Sequence, residues 1–287
     1  MNKKDQDKMD QDKMDQDKKG QNMKNQDIQR IAMVLEFDGQ TFHGWQQQNN
    51  AISVQETLQN ALQRIEGGFV SATAAGRTDA GVHAEAMLVH ADISLERWQR
   101  SHLAYVHGCN SFLPDQVRVV GVRAVQADFH ARFDCRARSY RYQIWNRNTA
   151  SALQRWQHWW MPRALDIEVM REAALHCIGK QDFSALRAAG CQATSAMRCI
   201  HTVSVTQHAH CISIDVAADA FLYHMVRNLV GNLVDVGRGK SNPDAFARLL
   251  AGKDRSLGAA TAPAHGLYFM DALYDDFSSR SLIASIE

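Results

Sequence analysis

The sequence predicts an α+β fold of two split βαβ units, each ferredoxin-like or RRM-like, whose antiparallel sheets adjoin around a central cleft. Two observations predict this class. Hydrophobic residues recur with strand and helix periods in the order strand, helix, strand, strand, helix, strand, and this order occurs twice. The chain has 287 residues, of which 45% are hydrophobic, so it has enough apolar material for two ordinary cores.

The first unit is expected over residues 28–126 and begins with a buried strand at 31–37, which ends at the Asp38-Gly39 turn signal. Ser53 and Glu56 form a capping box, and apolar residues at helical spacing predict an amphipathic helix over 54–65. The remaining predicted elements are extended segments at 69–75 and 87–93, a weaker helix at 95–107 and a strand at 117–125.

The second unit is expected over residues 127–276 and repeats the element order without repeating the letters. Its predicted elements are strand 139–145, helix 167–178, strands 201–207 and 211–216, helix 221–236, a short helix 243–251 and a last strand 267–274. The apolar residues of helix 221–236 leave Arg227 on its polar face. Residues 277–287 are expected to form a C-terminal tail.

The first 27 residues contain three near-copies of a five-residue unit, and their seven lysines and seven aspartates cancel. Such a neutral, polar segment cannot offset the entropy of ordering itself, so we predict a disordered tail, with an alternating-charge helix as the alternative. It lacks the features of a secretory signal or transit peptide, and no stretch elsewhere is apolar enough to span a membrane. We therefore expect a cytoplasmic protein without membrane contact.

The six cysteines include no Cys-x-x-Cys pair, and no histidine pair stands at zinc-finger spacing from them. This pattern favours free thiols in a reducing compartment over a zinc site or a disulfide framework. We therefore expect no metal site.

Positive charge is concentrated in one segment of a nearly neutral chain, whose net charge is +1. Residues 97–147 contain nine arginines, three aspartates and no lysine or glutamate, for a net charge of +6. Arginine can bind phosphate and stack on bases, so this segment with its tyrosines favours structured RNA as a partner. A solvated charged face is the alternative explanation.

The segment Ala75-Gly76-Arg77-Thr78-Asp79-Ala80-Gly81-Val82-His83-Ala84 separates two extended segments. Two glycines around Arg-Thr-Asp predict tight turns that present a charged pair at a strand end. The alternative is a purely structural loop in which the aspartate side chain hydrogen-bonds to its own backbone. Arg77, the basic segment downstream and the lack of a competing catalytic cluster favour an active-site role for Asp79.

Several ordered blocks of this chain resemble the TruA-type tRNA pseudouridine synthases, from about residue 30 to residue 275. The matching blocks are the loop above, Phe37-Asp38-Gly39, Phe42-His43-Gly44-Trp45-Gln46, Ser53-Val54-Gln55-Glu56, Phe129-His130-Ala131-Arg132-Phe133, Arg138-Ser139-Tyr140-Arg141-Tyr142, His224-Met225-Val226-Arg227-Asn228 and Gly266-Leu267-Tyr268.

The resemblance implies isomerisation of uridine to pseudouridine at positions 38 to 40 of the tRNA anticodon arm, by a homodimer without cofactor or metal. It implies that the cleft binds RNA, that Asp79 is the nucleophile and that Arg227 is its charged partner. It further implies that Arg77 fills space near the displaced base and that Tyr140 stacks on the target uracil. Arg227 as a surface charge and Tyr140 as a core residue remain alternatives.

The chemistry agrees with these roles. An aspartate carboxylate is ionised at neutral pH and, unlike serine, needs no activating base. A nearby arginine favours the charged form of such a carboxylate. A base within a helix is unreachable, so the uridine must be flipped out before it reacts.

Two features depart from the family pattern, namely Met87 in place of a frequent Gln and the segment Phe183-Ser184-Ala185-Leu186. We expect Met87 to alter contacts beside the loop.

Two other functions are alternatives to this one. A noncatalytic protein of two RRM-like sheets would leave the Asp79 loop unexplained. A retaining glycosidase would need a second carboxylate at matched spacing, and the sequence shows none.

Overall fold

A computed structural model describes residues 27–283 and shows a mixed α+β fold, the class that the sequence predicts. The repeated N-terminal segment lies outside the described residues, except for Asp27. Within the described part of the chain, no helix is both long and apolar enough to cross a membrane.

Ten strands form one sheet in the order β4-β1-β3-β10-β5-β9-β8-β7, with β2 beside β3 and β6 beside β5. Most neighbouring strands are antiparallel. The strands are β1 Ile28–Phe37, β2 Ala72–Ala74, β3 His83–Ser94, β4 Val117–Ala124, β5 Ala137–Asn146, β6 Trp159–Met161, β7 Gly179–Asp182, β8 Met197–His208, β9 Cys211–Ala218 and β10 Leu267–Leu273.

Seven α-helices lie among the described residues and pack against the sheet or one another. They are α1 Val54–Glu66, α2 Leu95–Arg100, α3 Ala104–Phe112, α4 Ile167–Leu175, α5 Met225–Gly237, α6 Pro243–Gly252 and α7 Ser279–Ile283. The last of them falls in the segment expected to be a C-terminal tail. It packs against β10, β4, β1 and β3, with Leu282 buried.

Helix α1 shows how local sequence sets an element. Ser53 Oγ accepts a hydrogen bond from the backbone N–H of Glu56 at 3.2 Å, which confirms the predicted cap. Leu58 and Leu62 are fully buried on its inner face. The helix ends at Gly67, whose φ of 75° suits glycine at a helix C-terminus.

Several predicted bounds are wrong. The extended segment at 69–75 is a strand only over Ala72–Ala74, and the helix at 95–107 is two helices, because Ser101 adopts an extended conformation. The helix predicted from residue 221 starts at Met225, because the backbone of His224 is left-handed and cannot continue an α-helix. The short strands β6 and β7 were not predicted, because three or four residues give no periodicity.

Helix α5 has the predicted apolar face, but it is more deeply buried than an amphipathic helix at a protein surface. Its polar side is buried as well, because the segment after α6 covers it: Asn232 Oδ1 accepts from Ala259 N at 3.0 Å. A Cβ at Gly231 would lie 2.1 Å from the Ala260 carbonyl oxygen, so this close approach requires glycine. Asn228, also buried, donates to Leu186 O at 2.8 Å.

The two halves of the sheet meet where β10 runs parallel to β3. This seam consists of two residue pairs, Tyr268 with His83 and Phe269 with Ala84. The candidate catalytic loop therefore ends where the halves join, because His83 is the first residue of β3. Met87, further along β3, pairs with Leu35 and is fully buried in the core.

Candidate active site

A cleft of about 890 Å³ opens beside this seam. Its walls include three parts of the chain that are distant in sequence: the loop that contains Asp79, the segment 132–140 that leads into β5, and the residues around the start of α5. Residues within 43–48 and 190–198, together with Leu267, complete the lining. Asp79 is the only carboxylate among the described residues that line the cleft. The structure thus shows no second carboxylate of the kind a retaining glycosidase would need there.

Asp79 lies in the cleft with its side chain 24% exposed. Its Oδ2 accepts a hydrogen bond from Arg227 Nη1 at 2.9 Å, so the structure brings these two residues together across 148 positions of sequence. His224 Nε2 lies 3.2 Å from the same oxygen. One carboxylate oxygen is therefore hydrogen-bonded by Arg227 and lies against the imidazole of His224.

Arg227 divides its guanidinium between two acceptors. Nη1 binds Asp79, while Nε donates to the Ala262 carbonyl oxygen at 2.8 Å. Ala262 N in turn donates to the Arg227 carbonyl oxygen at 3.1 Å, which ties this segment to the first turn of α5. Arg227 is therefore not a surface charge, and its contact with the Asp79 carboxylate is a single hydrogen bond, not a bidentate pair.

His224 immediately precedes α5, and the sequence motifs did not predict a role for it in the site. Its place in the block His224-Met225-Val226-Arg227-Asn228, three residues before Arg227, is the signal in the sequence that could have identified it. Burial lowers the pKa of His224 below its ordinary value. The guanidinium groups of Arg227 and Arg255 act in the same direction, while Asp79 opposes them.

The loop is braced by residues 39–46, a second feature that the sequence did not reveal. Trp45 N donates to the Thr78 carbonyl oxygen at 3.1 Å, and Gly81 N donates to Phe42 O at 3.3 Å. Gly44 has φ +86°, and a Cβ there would lie 2.5 Å from the Thr78 oxygen. Glycine is therefore required for this segment to support the loop beside Asp79.

Tyr140 lines the cleft from β5, where it pairs with Phe269 of β10 and Val216 of β9. Its ring packs edge-on against Phe221 and Phe269, with centroids 5.0 and 5.2 Å away. Burial raises the pKa of the Tyr140 phenol, so it stays protonated at neutral pH. Tyr142, two residues on, is fully buried and donates to Pro263 O at 2.8 Å.

Arg77 also lines the cleft but differs from Arg227 in its surroundings. It is exposed and makes no hydrogen bond or ion pair with any residue that the structure describes. Its guanidinium is therefore available to a ligand in the cleft.

The arginines of segment 97–147 are largely occupied. Carboxylates bind four of them: Arg100, Arg118, Arg136 and Arg141. Arg138 donates to the backbone oxygens of Ala75, Arg132 and Asp219 at 3.0, 2.6 and 2.9 Å. Arg132 is exposed at the cleft, and its guanidinium makes no hydrogen bond or ion pair with described residues. The sequence count of +6 therefore overstates the charge available to a polyanion.

Comparison with known proteins gives consistent matches over both halves of the sheet. A family model described as tRNA pseudouridine synthase matches residues 33–134 and 173–275. The chain is 43% identical over 247 residues to tRNA pseudouridine synthase A of Methylococcus capsulatus, covering 86% of this chain and 90% of that protein. It is 44% identical over 247 residues to the Shewanella amazonensis protein of the same name, covering 86% and 94%. The Neisseria gonorrhoeae protein of that name is likewise 44% identical, with 86% and 92% covered.

Proposed function

We propose that this chain, which belongs to the tRNA pseudouridine synthase family, isomerises uridine to pseudouridine at positions 38, 39 and 40 of the tRNA anticodon stem-loop. The family resemblance of the sequence motifs is confirmed, and the chain is a tRNA-modifying isomerase. The target positions and the aspartate mechanism are our proposal. The observation that carries the mechanism is the placement of Asp79 in the cleft with Arg227 on one carboxylate oxygen.

The proposed reaction begins with nucleophilic attack by the Asp79 carboxylate on the bound nucleotide. The bond from uracil N1 to ribose C1′ breaks, the base turns, and C5 joins C1′. The bond between Asp79 and the nucleotide breaks before the product leaves, which restores the free carboxylate, while C5 loses its proton to water and N1 gains one. Attack at C1′ of the ribose and attack at C6 of the uracil both suit a carboxylate. No electrons or atoms are taken from a second reactant, so an enzyme-bound nucleophile in a closed pocket can suffice, and we propose a reaction without cofactor or metal.

The hydrogen bonds of Asp79 support its role as the nucleophile. Arg227 and His224 both contact Oδ2, whereas Oδ1 receives no hydrogen bond from any described residue. One oxygen is therefore held and the other is free to attack. Arg227 holds Oδ2 through Nη1 without binding the attacking oxygen.

We also propose that the target base is flipped into the cleft, where Tyr140 stacks on it and Arg77 fills space near it. Tyr140 is supported by its position at the cleft end of β5, with its ring fixed by two phenylalanines. Arg77 is supported by its exposure and by the absence of a partner within the described chain. Flipping is needed because a stacked uridine cannot reach a carboxylate held in a cleft.

Two finer features of the architecture are part of the proposal. We infer that each half of the sheet is a split βαβ unit, supported by the strand orders β4-β1-β3-β2 and β10-β5-β9-β8. We infer that the protein is cytoplasmic. We also infer that it is a homodimer, because one sheet of this size could hardly contact the tRNA body and the anticodon arm together. A monomeric mass by light scattering would contradict the dimer.

The decisive experiment is tritium release from tRNA labelled at C5 of uridine, because this hydrogen is lost only when C5 joins the ribose. We expect Asp79→Asn to bind tRNA normally and to release no tritium above background. Asp244→Asn, an exposed aspartate in the first turn of α6 and outside the cleft, is the control for loss of one negative charge. Turnover by purified Asp79→Asn would remove Asp79 from the role of nucleophile.

A further inference from the structure

His224 has a backbone conformation that its position does not explain. Its φ is 57°, in the left-handed region, where only Ala209 and Lys253 join it among described residues other than glycine. Ala209 lies in the tight turn between β8 and β9, and Lys253 ends α6, so both occupy positions where this conformation is common. His224 precedes a helix, where the residue is usually extended and caps the helix with its side chain.

The imidazole of His224 does not cap α5. It reaches Asp79 instead, with Nε2 at 3.2 Å from Oδ2. The left-handed backbone therefore directs the ring into the cleft at the expense of a normal helix cap. Strain of this kind in a cleft is typical of residues with a functional role.

The neighbouring residue fixes this conformation. The Tyr223 ring packs against the His224 ring with centroids 3.9 Å apart. The Tyr223 carbonyl oxygen accepts from Ala188 N at 3.2 Å, and the His224 carbonyl oxygen accepts from Asn228 N at 2.9 Å. The peptide is thus anchored on both sides of the left-handed residue, which limits rotation of the imidazole.

Arg227 alone leaves the orientation of the carboxylate underdetermined. Only Nη1 contacts Asp79, because Nε is engaged by the Ala262 oxygen. A single hydrogen bond permits the carboxylate to rotate about the Cβ–Cγ bond. The imidazole of His224, whose Nε2 lies 3.2 Å from the same oxygen, is placed to restrict this rotation and to leave Oδ1 facing the cleft.

We propose that His224 is a positioning residue for the isomerisation, which donates from Nε2 to Asp79 Oδ2 and thereby holds Oδ1 in the attacking orientation. This inference rests on the proposed role of Asp79 as the nucleophile and adds a second residue that acts through it. His224 is expected to affect the rate of the chemical step more than the binding of tRNA.

The test compares His224→Gln with His224→Asn. A glutamine amide nitrogen occupies nearly the position of Nε2, whereas an asparagine amide is one bond shorter and corresponds to Nδ1. Asparagine, however, tolerates the left-handed backbone better than glutamine. Activity and stability are therefore expected to rank the two variants in opposite orders.

We expect the single-turnover rate of His224→Gln to exceed that of His224→Asn by roughly tenfold, the effect of one hydrogen bond to a charged group. The affinity for tRNA should be the same in both, and the melting temperature should be equal or higher for His224→Asn. If His224→Asn is the faster variant, or if the two rates are equal, the positioning role is wrong.

A pH profile supplies a readout that a structural role would not change. The groups that face His224 are Asp79 from the loop, Arg227 from α5 and Arg255 from the turn after α6. Protonation of the imidazole strengthens its hold on Asp79 and weakens the nucleophile, so the wild-type rate should fall at acid pH. Because burial lowers the pKa of His224, the midpoint of this fall should lie below the ordinary pKa of a histidine. His224→Gln should lack this decline. If the pH–rate profile of His224→Gln is the same as that of the wild type, the inference is overturned.

The failure of this inference is distinguishable from failure of the proposed function. If Asp79→Asn turns over, the nucleophile itself is wrong. If Asp79→Asn is inactive and His224→Asn is at least as fast as His224→Gln, only the role of His224 is wrong.

Discussion

At the scale of single residues, the site depends on how one guanidinium is shared. Arg227 has a side chain 15% exposed, and it binds both a carboxylate and a backbone oxygen. The planar fork of arginine can serve two acceptors in fixed directions, whereas the ammonium of lysine is a point charge on a flexible chain. Arg227 therefore links the loop of Asp79 to the segment that covers α5.

We predict that Arg227→Lys lowers the single-turnover rate by roughly tenfold or more and destabilises the fold by about 1 to 3 kcal/mol, because one of the two acceptors loses its donor. Tritium release and urea denaturation measure the two effects. Arg238→Lys is the matched control, since Arg238 is exposed at the C-terminal end of the same helix. A near-normal rate for Arg227→Lys would show that charge alone suffices at Asp79.

At the scale of elements, the loop that presents Asp79 is held by a segment that contributes no proposed catalytic residue. Residues 39–46 contact it through two backbone hydrogen bonds and through close approach at two glycines. A Cβ at Gly39 would lie 1.9 Å from the Val82 carbonyl oxygen, and one at Gly44 would lie 2.5 Å from the Thr78 oxygen. The position of Asp79 thus depends on backbone packing between two loops.

We predict that Gly44→Ala reduces isomerisation more than its loss of stability explains, because the methyl group displaces the Thr78 carbonyl next to Asp79. Gly67→Ala is the matched control: Gly67 also has positive φ, +75°, but a Cβ there meets nothing within 4 Å. Each change should cost about 1 kcal/mol or more in unfolding free energy.

Only Gly44→Ala should lower the rate constant of the folded protein. This is measured by single-turnover kinetics at a temperature where both variants are fully folded by circular dichroism. Equal rates for the two variants would mean that the loop does not depend on this contact.

At the scale of the whole molecule, the seam and the charge distribution together determine where RNA can bind. The cleft lies beside the parallel pairing of β10 with β3 and includes the unpaired cations Arg77 and Arg132. Arg136, by contrast, binds both oxygens of Asp275 at 2.8 Å. Arg132 and Arg136 both lie in segment 97–147. Of the two, only Arg132 can bind a phosphate without first breaking an ion pair.

We predict that Arg132→Gln flattens the dependence of log affinity for tRNA on log salt concentration by roughly 0.7 to 0.9, the effect of one lost phosphate contact. Arg136→Gln should change the slope less, because its charge is already neutralised by Asp275. Tyr140→Ala should leave the slope unchanged and slow the chemical step, since stacking releases no counterions. Binding titrations in potassium chloride measure all three. A larger change for Arg136→Gln than for Arg132→Gln would contradict this assignment.

The sequence by itself determined the features that depend on near neighbours. Ser53 caps α1 because its partner is three residues away, and the alternation of strands and helices follows from local periodicity. The motif around Asp79 was equally evident, because it is continuous in the chain. The bounds at 69–75, 95–107 and 221–236 were wrong because the packing of these residues against distant parts of the chain overrides their local preference.

Only the tertiary structure decided which charges meet. Arg227 reaches Asp79 across 148 residues, and Arg136 reaches Asp275 across 139. His224 contacts Asp79 because the fold brings the start of α5 beside the loop and the backbone of His224 is left-handed. Such contacts depend on the positions of whole elements in the sheet, which local sequence does not specify. The physical reason is the range of the interactions. Periodicity and capping involve residues a few positions apart, whereas the partner of a charged side chain is a residue that only the complete fold brings near it.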